Sequence, residues 1–276
     1  MIDKLLMRAI ENTSTENEVS VLLSGGVDSV SVAFAAHRLG KKITGYTFHL
    51  KDQPTYDSQK ALHIANTMGW DCKVIEVPTD GKIVEDSFIE LAKKYSCIKK
   101  THFECCYPFL FVYPQIEFSE VLSGWAADGY YGVSKRAHLH FKSPKSKFDE
   151  FRDDYFKDNS RAGYNWHKKI ANEYNKKFVT PYLTQEISDY FYTMDWFALN
   201  QPFQKHHVVE AFPEFKQVGG VKKHINLQLG SGIDKLFEEK VLTNKKLNFK
   251  DRIRIMDVCR DWTNTQTQNT LENFFG

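Results

Sequence analysis

Ser24-Gly25-Gly26-Val27-Asp28-Ser29 stands between an apolar run, Val19 to Leu23, and a long apolar segment that begins at Val30. Those residue types at that spacing suit one kind of chemistry. Adjacent glycines let the backbone turn tightly and put no Cβ in the way of an approaching oxyanion. The N–H groups that open the following helix are unpaired and point at the same spot, with the helix dipole behind them. Ser24 and Ser29 add hydroxyl donors. The stretch reads as a phosphate cradle built from Leu23, Ser24, Gly25, Gly26, Val27, Asp28 and Ser29. It is not a Walker A loop, which ends in Gly-Lys-Ser/Thr, and it is not G-x-G-x-x-G. Asp28 is the odd member, because a carboxylate beside phosphates repels them unless a cation lies between. A hard cation such as Mg²⁺, bridging carboxylate and phosphate oxygens, resolves the conflict. A strand–turn–helix junction with a capping serine would use some of the same types. It would not call for two glycines, two serines and an acid in one turn.

Such a loop needs a strand before it and a helix after it. VSVLL (19–23) has strand length, and VSVAFAAHRLG (30–40) reads as a helix stopped by Gly40. KITGYTFHL (42–50), CKVIEV (72–77) and FSEVLSG (118–124) give three more strands. Helical spacing over Tyr56–Gly69 and Gly81–Ser96 separates these three, as the 30–40 helix separates the first two strands, which implies parallel strands joined by right-handed crossovers. In such a sheet ligands bind beyond the carboxyl ends of the strands, where Ser24 falls. From about Lys147 the pattern turns to helices. The expected organisation is an α/β core over 1–140 and a helical extension over 141–276, packed on the core and completing the site.

Composition narrows the classes. A chain of 276 residues, 42% hydrophobic, can bury a sizeable core. A formal charge of +2 argues for neither a nucleic-acid binder nor a membrane-surface protein, though it does not exclude nucleic acid. No apolar stretch approaches the roughly 18 residues needed to cross a bilayer. No leader is visible after Met1, and five scattered cysteines fit a reducing compartment, so the expected location is cytoplasmic.

SGGVDS resembles the SGGxDS loop of the PP-loop ATP pyrophosphatases, the adenine nucleotide alpha hydrolase-like fold. Members cleave ATP between the α and β phosphates and leave AMP on an activated substrate. A second stretch, VLSGWAADGYYG (121–132), resembles the LSGEGADELFGGY segment shared by the synthetase domains of asparagine synthetases and β-lactam synthetases. Ser123, Gly124, Ala127, Asp128, Tyr131 and Gly132 fit that pattern. The resemblance implies that Asp128 faces Asp28 across the strand ends and that the two carboxylates hold Mg²⁺, with ATP as co-substrate. It places Phe48 near the adenine, and it matches Glu104 loosely to a family Glu-x-Pro position in the substrate pocket. QKHHVVEAF (204–212) resembles the family's Gly-Lys-x-x-Leu-Arg-x-Ala stretch, which makes Lys205 the contact to triphosphate. Lys222-Lys223 before Gly230-Ser231-Gly232 resembles a further basic stretch, so Lys223 joins the expected phosphate contacts. Pro181-Tyr182-Leu183 resembles a family turn but lacks its Asp.

Two departures bear on the reaction. The glutamine-hydrolysing domain that precedes this module in glutamine-dependent asparagine synthetases is not in this sequence. Nitrogen is therefore expected as ammonia from solution or a supplying partner, or as another amine. Trp125 stands where asparagine synthetases have Glu and β-lactam synthetases have Tyr, which makes it a substrate-side residue and puts asparagine as product in question.

The resulting expectation is an AMP-forming amide ligase acting on small-molecule carboxylate and amine substrates. Asp28, Asp128 and Lys205 are its catalytic residues. Two alternatives stand beside it: a PP-loop sulfurtransferase modifying tRNA, with Cys105 or Cys106 in the sulfur path, and a non-catalytic ATP-binding regulator. Cys105-Cys106 otherwise reads as core, and His37 as packing. The acid-free run KRAHLHFKSPKSK (135–147) reads as a lid or a phosphate or RNA grip, and NTQTQNT (264–270) as a solvated end.

Overall fold

The computed structural model describes residues 1–97, 100–132, 144–157, 164–220 and 227–243. Lys223, most of the 135–147 run and the 264–270 stretch lie outside the described residues.

Along the chain come α1 (Ile2–Thr13), β1 (Glu18–Leu22), α2 (Val27–Arg38), β2 (Lys42–Leu50), α3 (Tyr56–Met68), β3 (Asp71–Val77) and α4 (Gly81–Tyr95). Then follow α5 (Lys100–Cys106), α6 (Phe109–Val112), β4 (Glu120–Leu122), α7 (Ala127–Tyr131), α8 (Lys145–Phe156) and α9 (Tyr164–Glu173). The last strand among the described residues is β5 (Lys177–Val179), followed by α10 (Gln185–Tyr192), α11 (Trp196–Asn200), α12 (His206–Ala211) and further short helices to residue 243.

The fold is α/β. Among the described residues, five strands form one sheet in the order β3-β2-β1-β4-β5. β1 pairs in parallel with β2 and with β4, and β4 in parallel with β5. The chain winds outward from β1 through β2 to β3, then returns to the other side of β1 for β4. The order reverses between β1 and β4, and in such sheets ligands bind at that point, beyond the carboxyl ends of the strands. Both glycine-rich stretches follow those two strands. β5 carries no strand signature in sequence, since three residues are too few for a period to be read. Its pairing with β4 makes it a strand.

The elements follow from their side chains. α1 buries Ile2, Leu6, Ala9 and Ile10, a single helical face that packs on α2. α2 is apolar on nearly every side and buried throughout its length from Val27 to Ala36, apart from Asp28. Its Phe34 meets the rings of Trp70, Phe212 and Phe215 at centroid distances of 5.9, 6.0 and 5.1 Å. Truncating such a ring to alanine costs about 3–5 kcal/mol. His37 does packing work at the end of the same helix, accepting from Trp70 Nε1 at 3.1 Å.

Two buried charges fasten the frame. Glu120, at the start of β4, accepts from the Ser14 hydroxyl, from the backbone N–H groups of Thr15 and Glu16, and from Lys177 Nζ at 3.0 Å. Burial works against its charge, but these donors outweigh it and hold the carboxyl below its usual range. The α1–β1 connection is thereby tied to β4 and β5. Arg152 on α8 is fully buried, donating to the carbonyls of Phe191 (2.7 Å) and Met194 (3.0 Å) between the rings of Phe148 and Tyr192.

Contacts group the chain into two compact units. The first comprises residues 1–47, 57–73 and 116–224, so residues from either side of position 140 share it. The second comprises 48–56, 74–115 and 225–276. Within the second, Asp80 caps α4 by accepting from Lys82 N and Ile83 N, and Phe88 stacks on Phe103 at 4.1 Å. Phe237 closes that cluster at 5.5 Å from Phe88.

Candidate functional site

The loop after β1 leaves the sheet through Leu23, whose N–H donates to Tyr46 O at 2.8 Å. Gly25 has φ +72°, a left-handed conformation, and a Cβ there would press on Ala61 N and the Lys60 side chain at 3.2 Å. Ser24 and Ser29 share a hydrogen bond of 3.0 Å, and Ser29 Oγ also receives Ser24 N–H at 3.1 Å. Gly26 occupies the N-cap of α2, and no side chain caps that helix. Its first N–H groups are thus left to an outside acceptor. Val27 is buried beneath the turn, and Asp28 enters the first turn of α2.

The loop after β4 comes from the other side of the crevice. Ser123 N–H donates to Val179 O at 3.0 Å, extending the sheet by one residue, and Trp125 N–H donates to Ser123 Oγ at 3.2 Å. Gly124 lies directly against the backbone of Asp28 and Ser29, where a Cβ would stand 2.4 Å from either residue. Contacts that short do not occur, so this loop and the first turn of α2 meet backbone to backbone. Ala126 takes a left-handed conformation at φ 77°, and α7 starts behind it with Asp128 in its first turn.

The third contribution comes from a distant segment. Lys205 precedes α12 with φ 65°, an uncommon conformation for a residue with a Cβ. Its N–H donates to Leu199 O and its carbonyl accepts from Val208 and Val209, so the residue is fixed from both sides. Lys205 Nζ donates to Asp28 Oδ2 at 2.6 Å and to Asp128 Oδ1 at 2.5 Å. Its side chain is 4% exposed, against 17% for Asp28 and 37% for Asp128. The Tyr131 ring lies beneath it, 5.1 Å from Nζ.

Electrostatics follow from the burial. Desolvation alone would lower the Lys205 pKa, but Asp128 and Asp28 together outweigh it and push the ammonium above its usual range. For Asp28, burial is the largest effect, and the balance of all its neighbours leaves the carboxyl raised to about 7. Lys205 pulls it down and Asp128 pushes it further up. Asp28 Oδ1 is buried with no hydrogen-bond partner. A hard cation takes such an oxygen readily, and Mg²⁺ is held by one or two carboxylates with phosphate and water completing its shell. Two carboxylates converging on one point, one with an unpartnered oxygen, fit that ion. No group of three or more His, Cys, Asp or Glu suited to a metal occurs among the described residues.

Ser24, Gly25, Gly26, Asp28, Ser29, Ser123, Gly124, Trp125, Asp128 and Lys205 all belong to the first unit. The Trp125 ring packs on His167 of α9 at 4.6 Å, and His167 stacks on Phe178 of β5 at 5.5 Å. Trp125 Nε1 is buried without an acceptor. Phe48 and Glu104 belong to the second unit. There Phe48 meets Phe109 edge-on at 5.7 Å, and Glu104 is buried on α5. Sequence reasoning missed three neighbours of the site. One is the Ser31–Tyr182 hydrogen bond of 2.8 Å one turn below Asp28; the others are the His167 contact and the left-handed backbone of Lys205. Tyr182 lies in the Pro181-Tyr182-Leu183 stretch noted in sequence, but its pairing with Ser31, the His167 contact and the backbone at Lys205 have no local signal.

A family model described as asparagine synthase matches residues 1–256. No curated protein matches the chain in sequence. Among solved structures, a predicted subunit of a tRNA methyltransferase from Methanocaldococcus jannaschii DSM is 17% identical. The match covers 74% of this chain and 89% of that one, with a TM-score of 0.32. The NMN synthetase of Francisella tularensis is also 17% identical, over 65% of this chain and 95% of its own, with a TM-score of 0.34.

Proposed function

The chain belongs to the asparagine synthase family, a family of ATP-using synthetases, and from that membership and its site we propose that it is an AMP-forming carbon–nitrogen ligase. One observation carries the reading: two carboxylates and a lysine from three separate segments converge beside an uncapped glycine-rich turn at the sheet's switch point.

In this reading the triphosphate of ATP lies along Ser24–Ser29, received by the hydroxyls and by the first N–H groups of α2. Asp28 and Asp128 would hold Mg²⁺, which when bound neutralises phosphate charge as a Lewis acid. A substrate carboxylate oxygen bonds to the α-phosphorus as the bond to the β-phosphate oxygen breaks, giving an acyl-adenylate and pyrophosphate. Lys205 offsets the charge that builds on the departing pyrophosphate. An amine or ammonia, drawn from solution or from a supplying partner, then attacks the acyl carbon and AMP leaves. Trp125 is the proposed substrate-side residue.

The chemistry of the cysteines favours this reading over sulfur transfer, which requires a thiolate. Burial, with Glu104 and Cys97 nearby, pushes the Cys105 thiol up to about 12. The hydrogen bond to Cys97 and burial raise Cys106 well above its ordinary value.

The test is product analysis. The protein is incubated with ATP, Mg²⁺ and a small-molecule cell filtrate, and the phosphorus products are read by NMR. AMP and pyrophosphate appearing with a new amide by mass spectrometry support the ligase. ADP as the nucleotide product, or a thiolated base in place of an amide, removes it.

A further inference from the structure

The lysine bridges the two carboxylates that would hold a divalent cation. Its Nζ lies within 2.6 Å of one oxygen of each carboxylate, the side chain is almost wholly buried, and the Tyr131 ring closes the site beneath it. With both carboxylates ionised, this cluster already holds a cation. A divalent ion entering between the same oxygens meets an ammonium a few ångströms away. The ammonium cannot simply retreat, since a buried charge left without a partner costs several kcal/mol. It needs another anion. Lys205 also cannot fill the acceptor capacity of both carboxylates, because Asp28 Oδ1 remains unpartnered.

We infer that Lys205 is a built-in counter-ion that keeps the divalent cation out of the nucleotide-free site. Triphosphate draws the ammonium away and frees both carboxylates, so metal and nucleotide load together. The inference rests on reading the crevice as a metal–ATP site. It goes further in assigning this lysine a second station before the reaction starts, and an order to the binding events.

The experiment reads metal binding, not turnover. Mn²⁺ is titrated by electron paramagnetic resonance into the nucleotide-free wild-type protein and into Lys205→Met, which keeps the length of the side chain and removes its charge. The inference expects Lys205→Met to bind Mn²⁺ at least tenfold tighter than wild type, and Asp28→Asn added to that variant to abolish the gain. Equal affinity in wild type and Lys205→Met overturns it. Should Lys205→Met fail to fold, thermal unfolding of the wild type decides. Mg²⁺ alone, α,β-methylene-ATP with chelator, and the two together are compared. A shift far beyond the sum, seen only with both, supports the exchange. A full shift with Mg²⁺ alone overturns it. Failure here and failure of the ligase reading are separable. Tight unaided metal binding with AMP formation intact rejects only the counter-ion, whereas ADP formation with the Lys205→Met gain intact rejects only the ligase.

Discussion

A Cβ on Gly124 would stand 2.4 Å from the carbonyl carbon of Asp28. The second loop is therefore seated on the first turn of α2 with no side chain between, and this seating brings Asp128 to the same ammonium as Asp28. Gly124→Ala forces the two backbones apart. It should lower stability by about 1–3 kcal/mol, the usual range for overpacking, and weaken binding of an ATP analogue as well. Denaturant melts and calorimetric titration check both, and an alanine variant with wild-type stability and affinity would contradict the close approach.

Asp28→Asn and Asp128→Asn should each cut AMP formation by on the order of 100-fold or more, the scale of losing one strong charge-stabilising group. Each variant stays folded, because Lys205 keeps the other carboxylate. Circular dichroism and a pyrophosphate-release assay separate the two effects. Near-normal turnover in Asp128→Asn would mean that the second loop has no part in holding the metal.

Lys205→Ala should slow adenylation far more than it weakens ATP binding, since the lysine acts on charge that develops as pyrophosphate leaves. Single-turnover rates and the dissociation constant of α,β-methylene-ATP supply the two numbers. A large loss of affinity with an unchanged saturated rate would make the lysine a ground-state contact.

His167 gives a pH signature. It is fully buried, and burial lowers its pKa to about 3, against about 6.5 in the unfolded chain. The unfolded state thus takes up a proton that the folded state refuses as pH falls below about 6.5. This contribution to stability is intact above that value and is lost progressively down to about 3, at about 1.4 kcal/mol per pH unit. Unfolding free energies between pH 7 and 5 should therefore fall less steeply in His167→Gln than in the wild type. Parallel slopes in the two proteins would show that His167 is protonated or exposed.

Trp125 has an indole N–H with no acceptor and a ring resting on His167. Indole can donate one hydrogen bond but takes no proton from an incoming ammonium. Trp125→Ala should leave carboxylate-dependent ATP–pyrophosphate exchange largely intact, yet slow amide formation several-fold and increase hydrolysis of the intermediate. Equal losses in exchange and amide formation would assign the residue to the ATP half of the reaction.

Sequence and structure agree best where the signal is local. β1, β2, β3, α2, α3 and α4 fall within a few residues of their expected bounds, because apolar runs of strand length alternate with helices ending at Gly40, Gly69 and Ser96. α1 announces itself through Ile2, Leu6, Ala9 and Ile10, a spacing easily passed over beside the polar run that follows. β5 is strand only by virtue of its partner. In the site, the residue types of Asp28, Asp128 and Lys205 were legible in their motifs. That one ammonium bridges both carboxylates was not, since it depends on a left-handed backbone at residue 205 and on chain 177 positions away from Asp28. The pairing of Trp125 with His167 likewise depends on where α9 packs, which no period or cap encodes.

The β4–β5 pairing has a consequence for the protein's birth. Ser123 N–H is held by Val179 O, and Glu120 by Lys177, so the second loop takes its seat only after β5 has been synthesised. The ammonium between the carboxylates arrives later still. While the ribosome is adding the intervening residues, α1, β1, α2 and β2 can already dock locally, yet they present only the first of the two loops. Closing contacts of such long sequence separation is slow. A nascent chain halted before α12 is therefore expected to be a folded scaffold that does not retain nucleotide.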